Sequence, residues 1–145
     1  MAIKRDTTDH YFSKAIRMRN DWTCEKCFKC DDNAKMTNKS KFIETAHVYT
    51  RRYRHTRWHS DNAIAACNAC HRWFGDNPPD FYIFIKNNIL GETRMDLLMR
   101  RKSVSRKYTK AEKAEITEHW KSECKRLEKL RMNGTQGYID LIDYD

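Results

Sequence analysis

The chain has 145 residues, of which 39% are hydrophobic and 34% are charged, which suits one domain with an extension and excludes two full-sized domains. No run approaches about 18 consecutive apolar residues, so a membrane-spanning helix is excluded. Lys and Arg number 29 against 20 Asp and Glu, and the net charge of +9 favours a polyanionic partner, most often nucleic acid, over a protein that is merely basic.

The predicted elements begin with a short basic helix over residues 9–20, where apolar residues recur at helical spacing. Residues 22–32, WTCEKCFKCDD, are predicted to form a cysteine knuckle, and the polar segment 31–40 is expected to be a loop. The Phe, Ile, Val and Thr content of residues 41–50 predicts a strand. An Arg-rich run that we expect to be irregular follows over residues 51–61.

Residues 62–75, NAIAACNACHRWFG, are predicted to begin as a strand or turn and to become helical at the second cysteine pair. Two prolines then interrupt the chain, and short helices are expected at 80–90 and 92–102. The sequence TKAE at 109–112 is a capping box, and the helix that it opens should run to about Met132. The last eight residues, YIDLIDYD, are acidic.

Four of the six cysteines form two C-x2-C pairs. Two such turns can bring four thiolates to one tetrahedral ion, and four protein ligands leave no open position, so a zinc ion here would be structural. The first dozen residues contain no apolar segment typical of a signal peptide, so we expect a cytoplasmic protein whose cysteines bind metal rather than form disulfides. The pairs are Cys24 with Cys27 and Cys67 with Cys70.

The remaining cysteines leave alternatives open. Cys27 and Cys30 also form a C-x2-C pair, although the preceding sequence WTC favours the pairing of Cys24 with Cys27. Cys124 falls on the apolar face of the last predicted helix, so we expect it in the core. Buried free thiols are the alternative to a zinc site.

Three polar residues around the cysteine pairs suggest catalysis. His47 ends the predicted strand, and a His with a near-neutral pKa can take a proton from water, although a lone His is more often structural. His71 directly follows Cys70, so its side chain should point away from the zinc toward a second site, or else lie on the surface. Asn62 could hold the His47 ring or fix a nearby loop.

An arginine cluster follows the predicted base. Guanidinium groups bind phosphates through paired N–H donors, and the interleaved Tyr53 and Trp58 can stack on bases or pack beneath the arginine stems. The alternative is a solvated loop over a buried Trp58. We predict that the nucleic-acid-binding residues of this cluster are Arg51, Arg52, Arg54 and Arg57.

The combination of these segments resembles the HNH endonucleases, also called ββα-metal or His-Me finger nucleases, of the kind with a four-cysteine structural zinc. The resemblance is carried by WTCEKC, AHVYTRRYRHTRW, DNAIAACNACH and NPPDF. More narrowly, the chain is similar to the phage and prophage NinG (Rap) recombination nucleases, a family associated with branched DNA. The likeness covers residues 17–85 and extends more weakly to the last helix.

The resemblance implies a role for each matching residue. His47 occupies the position of the family's general base, and Asn62 occupies that of its central Asn. His71 occupies the position of a ligand of a catalytic Mg²⁺ or Mn²⁺. The four paired cysteines stand at the structural Zn²⁺. Many members have Asp or His directly before the base, but here that residue is Ala46. The nearby candidates for the missing ligand are Glu44, His59 and Asp61.

These features together predict an α+β protein with a zinc-stapled ββα-metal core at residues 9–78 and a helical C-terminal extension with an acidic tail at residues 79–145. The resemblance implies metal-dependent DNA endonuclease activity, in a phage or prophage nuclease that acts in DNA processing or recombination in the host cytoplasm. We expect the protein to bind DNA and not to bind a membrane. The chain is also a candidate homodimer. The alternative is a non-catalytic zinc-containing nucleic-acid-binding module, and the last helix or tail is a candidate protein-interaction site.

Overall fold

The computed structural model describes residues 3–145, and within them the chain folds as a mixed α+β protein with one two-stranded sheet. The helices and strands in chain order are α1 (Thr7–Arg19), α2 (Asp32–Thr37), β1 (Ile43–His47), α3 (Arg54–Arg57), β2 (Ala63–Cys67), α4 (Asn68–Asp76), α5 (Pro78–Phe84), α6 (Gly91–Ser103) and α7 (Lys110–Met132). A 3₁₀ turn at Ser60–Asn62 precedes β2, and a π-helical stretch at Ile85–Leu90 joins α5 to α6.

Helix α1 begins at a capping box. An Asp6 oxygen accepts a hydrogen bond from the Asp9 backbone N–H at 3.1 Å, and an Asp9 oxygen accepts one from the Asp6 N–H at 2.9 Å. Two backbone donors at the helix start are thereby satisfied. The apolar face of α1 packs on α7, where the Phe12 and Trp120 rings meet edge to face with centroids 5.0 Å apart. Burying a ring of this size stabilises the fold by roughly 1.5–3 kcal/mol.

Strands β1 and β2 form an antiparallel hairpin in which His47, at the end of β1, pairs with Ala63 at the start of β2. The outer edge of β2 is covered, because the Ala65 N–H donates to Glu25 Oε2 at 2.6 Å and the Ala65 carbonyl accepts from the Glu25 N–H at 2.9 Å. In the part of the chain that the structure describes, no strand besides β2 pairs with β1, and Ser13 of α1 is hydrogen-bonded to Thr45 of β1. Helix α4 follows β2 without a connecting loop.

Buried apolar side chains form three clusters within residues 3–145. The largest lies between the hairpin and helices α4, α5 and α6, around Phe74. A second lies between α1 and α7, around Trp120. The third joins the end of α1 to α2, α7 and the C-terminal tail, around Trp22. Each side of the hairpin is therefore supported by helices that fix its position.

The Arg-rich and polar segments are more regular than the sequence predicts. The segment 31–40, expected to be a loop, contains α2, which Asp31 caps by accepting from the Ala34 N–H at 3.2 Å. The run 51–61, expected to be irregular, contains the single turn of α3 and then the 3₁₀ turn. Helix α2 has a local cap, whereas α3 is held by distant partners, with Arg57 bound to Asp9 and the His55 carbonyl bound by Arg101. Neither helix is long enough to show an apolar periodicity in the sequence.

The helices predicted after the prolines are present. Those expected at 80–90 and 92–102 appear as α5 with its π-helical continuation and as α6, and Gly91 between them has a φ of 77°, which favours glycine. The capping box that opens α7 is confirmed. The Glu112 N–H donates to Thr109 Oγ1 at 3.0 Å, and a Glu112 oxygen accepts from the Thr109 N–H at 3.2 Å.

The C-terminal tail folds back on the body of the protein. The Ile139 N–H donates to the Arg19 carbonyl at 2.9 Å, and the Asp143 carboxylate accepts from both the N–H and the hydroxyl of Ser60. The segment 79–145 thus shares a core with residues 9–78, and the boundary between them stays a prediction. Among the helices of residues 3–145, none combines the length and apolar character needed to cross a membrane.

Candidate functional site

Four cysteine side chains converge at the junction of the knuckle, β2 and α4. Their sulfur atoms all lie within 4.8 Å of one another, and Cys27 Sγ is 3.7 Å from Cys67 Sγ. In a tetrahedral zinc site with Zn–S bonds of about 2.3 Å, the sulfurs are separated by about 3.8 Å. The donor set and its spacing therefore fit a structural metal such as zinc. The four residues are Cys24, Cys27, Cys67 and Cys70.

Backbone groups of the knuckle and of the start of α4 surround this cluster, and they favour the thiolate at Cys24, whereas burial and the neighbouring thiols raise the pKa of Cys70. The Cys24 N–H donates to the Lys29 carbonyl at 2.8 Å, and the Phe28 N–H donates to the Cys24 carbonyl at 3.0 Å, which closes the knuckle. Cys67 is the N-cap of α4 and Cys70 lies in its first turn, where the helix dipole favours negative charge. Burial acts to raise the pKa of the Cys24 thiol, but hydrogen bonds from backbone groups lower it to about 7.

The other two cysteines lie outside the cluster. Cys30 Sγ is 3.5 Å from an Asp32 oxygen and 3.9 Å from the Asp21 carbonyl. Cys124 is buried on α7 and donates to the Tyr11 carbonyl at 3.2 Å, and burial raises the pKa of its thiol to about 12. The pairing of Cys24 with Cys27 is therefore the one that the fold brings to the second pair.

A carboxylate and an imidazole meet across β1 and α4. Glu44 lies in β1, His71 lies in the first turn of α4, and Glu44 Oε1 is 3.0 Å from His71 Nδ1. Their side chains are 49% and 40% exposed, so solvent and ligands reach the pair. Glu44 Oε1 and His71 Nδ1 are about as far apart as two neighbouring ligands of one octahedral ion. With the ring proton on Nε2, the pair could hold a divalent ion between a carboxylate oxygen of Glu44 and Nδ1 of His71.

His47 is the last residue of β1, and its ring packs on Phe12 with centroids 6.2 Å apart. Burial and the neighbouring Arg51 guanidinium lower the pKa of His47 to about 4. The imidazole is therefore neutral at pH 7, and one of its ring nitrogens carries a free lone pair. A neutral imidazole at the edge of a basic cleft can accept a proton from a water molecule.

These groups share one cleft beside β1 and α1. Two adjoining cavities of about 280 and 780 Å³ have Thr45, His47, Arg51 and His71 in common. The smaller cavity also includes Glu44. The arginines around the two cavities are Arg5, Arg17, Arg51 and Arg52. The His47 imidazole, the Glu44–His71 pair and several guanidinium groups thus lie around these adjoining cavities.

Two of these arginines, Arg5 and Arg17, were not among the sequence-predicted residues. Arg17 lies in α1, and its guanidinium carbon is 5.1 Å from the centre of the Trp22 ring. For Arg17, the basic character of the predicted first helix was the signal, but only the packing of α1 beside β1 shows that this cation faces the cleft. Arg5 precedes the predicted helix, and no feature of the sequence pointed to it.

Asn62 fixes the loop that follows His47. Its side-chain oxygen accepts from the Tyr49 N–H at 2.9 Å, and its side-chain amide donates to the Tyr49 carbonyl at 2.9 Å. Its backbone carbonyl accepts from the Val48 N–H at 2.8 Å. Of the two roles open to Asn62 from the sequence, the structure therefore has it hold the loop, with both ends of its buried amide bound to Tyr49.

The other ligand candidates lie elsewhere. His59 Nδ1 accepts from the Asp61 N–H at 3.2 Å, and its Nε2 is 3.5 Å from an Asp143 oxygen. Asp61 is bound by the guanidinium group of Arg94. Neither His59 nor Asp61 lines the two cavities beside His47. Glu44 is the candidate that the fold brings to His71.

Arg57 differs from the other arginines of its cluster. It is 7% exposed, and its guanidinium group donates to both oxygens of Asp9, at 3.0 and 2.6 Å. Burial acts to raise the pKa of Asp9, but hydrogen bonds from Arg57, the Asp6 backbone and Trp58 lower it to about 2. Arg57 is thus held in a buried ion pair, while Arg52 and Arg54 are exposed and Arg51 is partly exposed.

Comparisons of the chain with family models, with curated proteins and with solved structures give no match. The geometry of the chain itself is therefore what points to a function. Its two chemical features are the four-cysteine cluster, which could hold a structural metal, and the cleft that contains His47 and the Glu44–His71 pair.

Proposed function

We propose that the chain is a metal-dependent DNA endonuclease of the HNH kind, with β1, β2 and α4 as its ββα-metal core. The observation that carries the proposal is the meeting of His47 with the Glu44–His71 pair in one arginine-lined cleft. Phosphodiester hydrolysis needs a base for the attacking water, positive charge near the leaving oxygen and cations for the phosphate. Each of these has a candidate group in the cleft.

In this proposal, Glu44 supplies the ligand that Ala46 cannot. Alternate residues of a strand share a face, so Glu44 and Ala46 lie on the same side of β1. Ala46 is only 1% exposed, whereas Glu44 reaches His71. Carboxylate oxygens suit Mg²⁺ and Mn²⁺, and the imidazole shifts the preference toward the transition metal, so we expect Mn²⁺ to be the better ion. When bound, the ion supplies positive charge that stabilises the leaving oxygen.

Side chains of the protein supply the other functions that the reaction needs. His47, neutral because burial and Arg51 lower its pKa, takes a proton from the attacking water. Arg51 and Arg52 bind the phosphate oxygens and hold the strand in the cleft. Asn62 keeps the segment from His47 to these arginines in place through Tyr49. Because Cys70 directly precedes His71, zinc at the four-cysteine cluster would hold the first turn of α4 in position.

The test is cleavage of supercoiled plasmid and of branched DNA with Mn²⁺, with Mg²⁺ and with no added divalent ion. The NinG-like segments make branched DNA the substrate of first choice. We expect cleavage that depends on the ion. Glu44→Gln should cut much more slowly at limiting Mn²⁺, because an amide is a weaker ligand than a carboxylate. The matched control is Glu118→Gln, at an exposed position on α7, and it should cut like the parent.

One observation favours a second function, a zinc-containing module that binds nucleic acid without cutting it. The position before His47 is the buried Ala46, which offers no ligand. DNA binding by the parent, with no cleavage of either substrate under any of the tested ions, would establish this second function in place of the first.

A further inference from the structure

A second basic surface lies at the C-terminal end of α6. It is an open groove of about 380 Å³ between α3 and the segment that joins α6 to α7, and we call it the α3–α6 groove. Six of the residues that line the groove are basic, and none of the lining residues is Asp or Glu. The basic residues are Arg52, Arg54, His55, Lys102, Arg106 and Lys107.

Most of the cations in the groove are not neutralised by the protein. Arg106 pairs with Glu112 at 2.7 Å. The others have no carboxylate oxygen within 4.0 Å among the described residues. Like charges that are brought together without counter-charges repel one another, and they create a positive potential that attracts anions. The cations without a carboxylate partner are Arg52, Arg54, Lys102 and Lys107.

Aromatic rings hold one of these cations in place. The Lys102 ammonium is 4.6 Å from the centre of the Tyr53 ring and 5.3 Å from that of Tyr49. Cation–π attraction of this kind fixes a long side chain without removing its charge. Tyr49 is in turn the residue that Asn62 holds through two hydrogen bonds. The wall of the groove and the loop after His47 are therefore fixed by the same asparagine.

The groove continues from the cleft at His47. Arg52 lines both, and the segment from His47 to Tyr53 runs from one to the other. A polyanion that enters the cleft along β1 therefore meets further cations as it leaves over Arg52. Four cations without partners also exceed the charge of a single phosphate group, which is at most about −2. An extended polyanion fits the groove better than a small anion does.

We propose that the α3–α6 groove binds the phosphodiester backbone of DNA next to the stretch that lies in the cleft. This inference rests on the proposed function for the identity of the polyanion. The contacts are to phosphates, so they add affinity and hold the substrate in position without selecting a sequence. Arg54 and Lys107 make these contacts from opposite walls, one in α3 and the other in the segment after α6.

The experiment measures binding of a labelled DNA duplex by fluorescence anisotropy over a range of salt concentrations, with no added divalent ion so that the DNA stays intact. The variant is Arg54→Ala with Lys107→Ala, since both side chains are exposed and lack a carboxylate partner in the described structure. Its matched control is Lys125→Ala with Lys129→Ala. These substitutions remove the same amount of charge at two exposed positions on α7. The charge-retaining pair Arg54→Lys with Lys107→Arg tests whether charge alone accounts for the effect.

Each phosphate contact to duplex DNA contributes about 0.9 to the slope of log K against log salt. The groove variant should therefore lower the slope by about 1.8. The α7 control and the charge-retaining pair should keep the slope of the parent. An equal slope in the parent and the groove variant overturns the groove proposal, even if the parent cuts DNA. A parent that does not bind duplex DNA also overturns it. A lowered slope with no cleavage under any ion supports the groove and overturns the nuclease proposal instead.

Discussion

At the scale of single residues, Asp9 connects α1 to the Arg-rich segment. Its carboxylate accepts from the Asp6 N–H, from the Arg57 guanidinium and from the Trp58 ring N–H at 2.9 Å. Asp9 is 2% exposed, so an isolated charge there would be unfavourable, and the paired cation and hydrogen bonds compensate it. Arg51, which lines the cleft, also lies 3.7 Å from an Asp9 oxygen, so Asp9 connects the buried ion pair to the cleft.

Removal of the Asp9 charge should destabilise the fold. We expect Asp9→Asn to lower the free energy of unfolding by about 3 kcal/mol, because buried Arg57 is left with the more distant Asp6 carboxylate, 3.6 Å away, as its counter-charge. The pKa of Asp9 is about 2 in the folded protein against 3.8 for the free side chain, so its contribution is present above about pH 4 and is lost as the pH falls toward 2. Urea unfolding of parent and variant at several pH values measures both effects.

The control for this prediction is Asp76→Asn, which removes one charge at an exposed position in α4. It should change the free energy of unfolding by less than about 0.5 kcal/mol. An Asp9→Asn variant as stable as the parent at pH 7 would mean that Arg57 finds other partners and that the pair contributes little.

Some residues of the site could be predicted from the sequence, and others could not. The four cysteines could be assigned because their spacing is local and a metal needs all four ligands. The role of Arg57 could not, because its partner Asp9 lies 48 positions away and nothing in the run of arginines distinguishes it from Arg51 or Arg52. The choice of Glu44 over His59 and Asp61 likewise required the packing of β1 against α4.

At the scale of elements, the knuckle, β2 and α4 are joined by the cysteine cluster. Cys67 ends β2 and caps α4, so a metal at the cluster would fix the angle between strand and helix as well as the knuckle. The helices with local signals were predictable, as the capping box of α7 shows. Helix α2 was missed because six residues are too few for a periodic apolar pattern. The burial of α7 against α1 was not predictable, since it joins segments about a hundred residues apart.

Loss of a cluster cysteine should remove the metal and destabilise these elements together. We expect about one zinc per chain in the parent by elemental analysis, and we expect Cys67→Ser to lose zinc and to unfold at a lower temperature, because metal binding contributes to folding. Cys30→Ser is the control and should retain both, since Cys30 lies outside the cluster. Retention of zinc in Cys67→Ser together with its loss in Cys30→Ser would assign the metal to a different set of cysteines.

At the scale of the whole molecule, acidic and basic groups are unevenly distributed. The acidic tail pairs with other parts of the body, with Asp143 bound to Ser60 and Asp145 to Arg101. The net charge of +9 therefore includes cations in the cleft and the α3–α6 groove that the tail does not neutralise. This distribution suits a protein that holds an extended polyanion on one continuous basic surface.

The measurement that tests the central claim most directly is the response of His47→Ala and His71→Ala to Mn²⁺ in a cleavage assay. His47→Ala should bind DNA like the parent but cut roughly 10²–10⁴ times more slowly at every Mn²⁺ concentration, because it lacks the base. His71→Ala should also cut slowly, but excess Mn²⁺ should partly restore its activity, because it lacks only a ligand. His10→Ala, an exposed control on α1, should cut like the parent. Cleavage by His47→Ala at the rate of the parent would contradict the account.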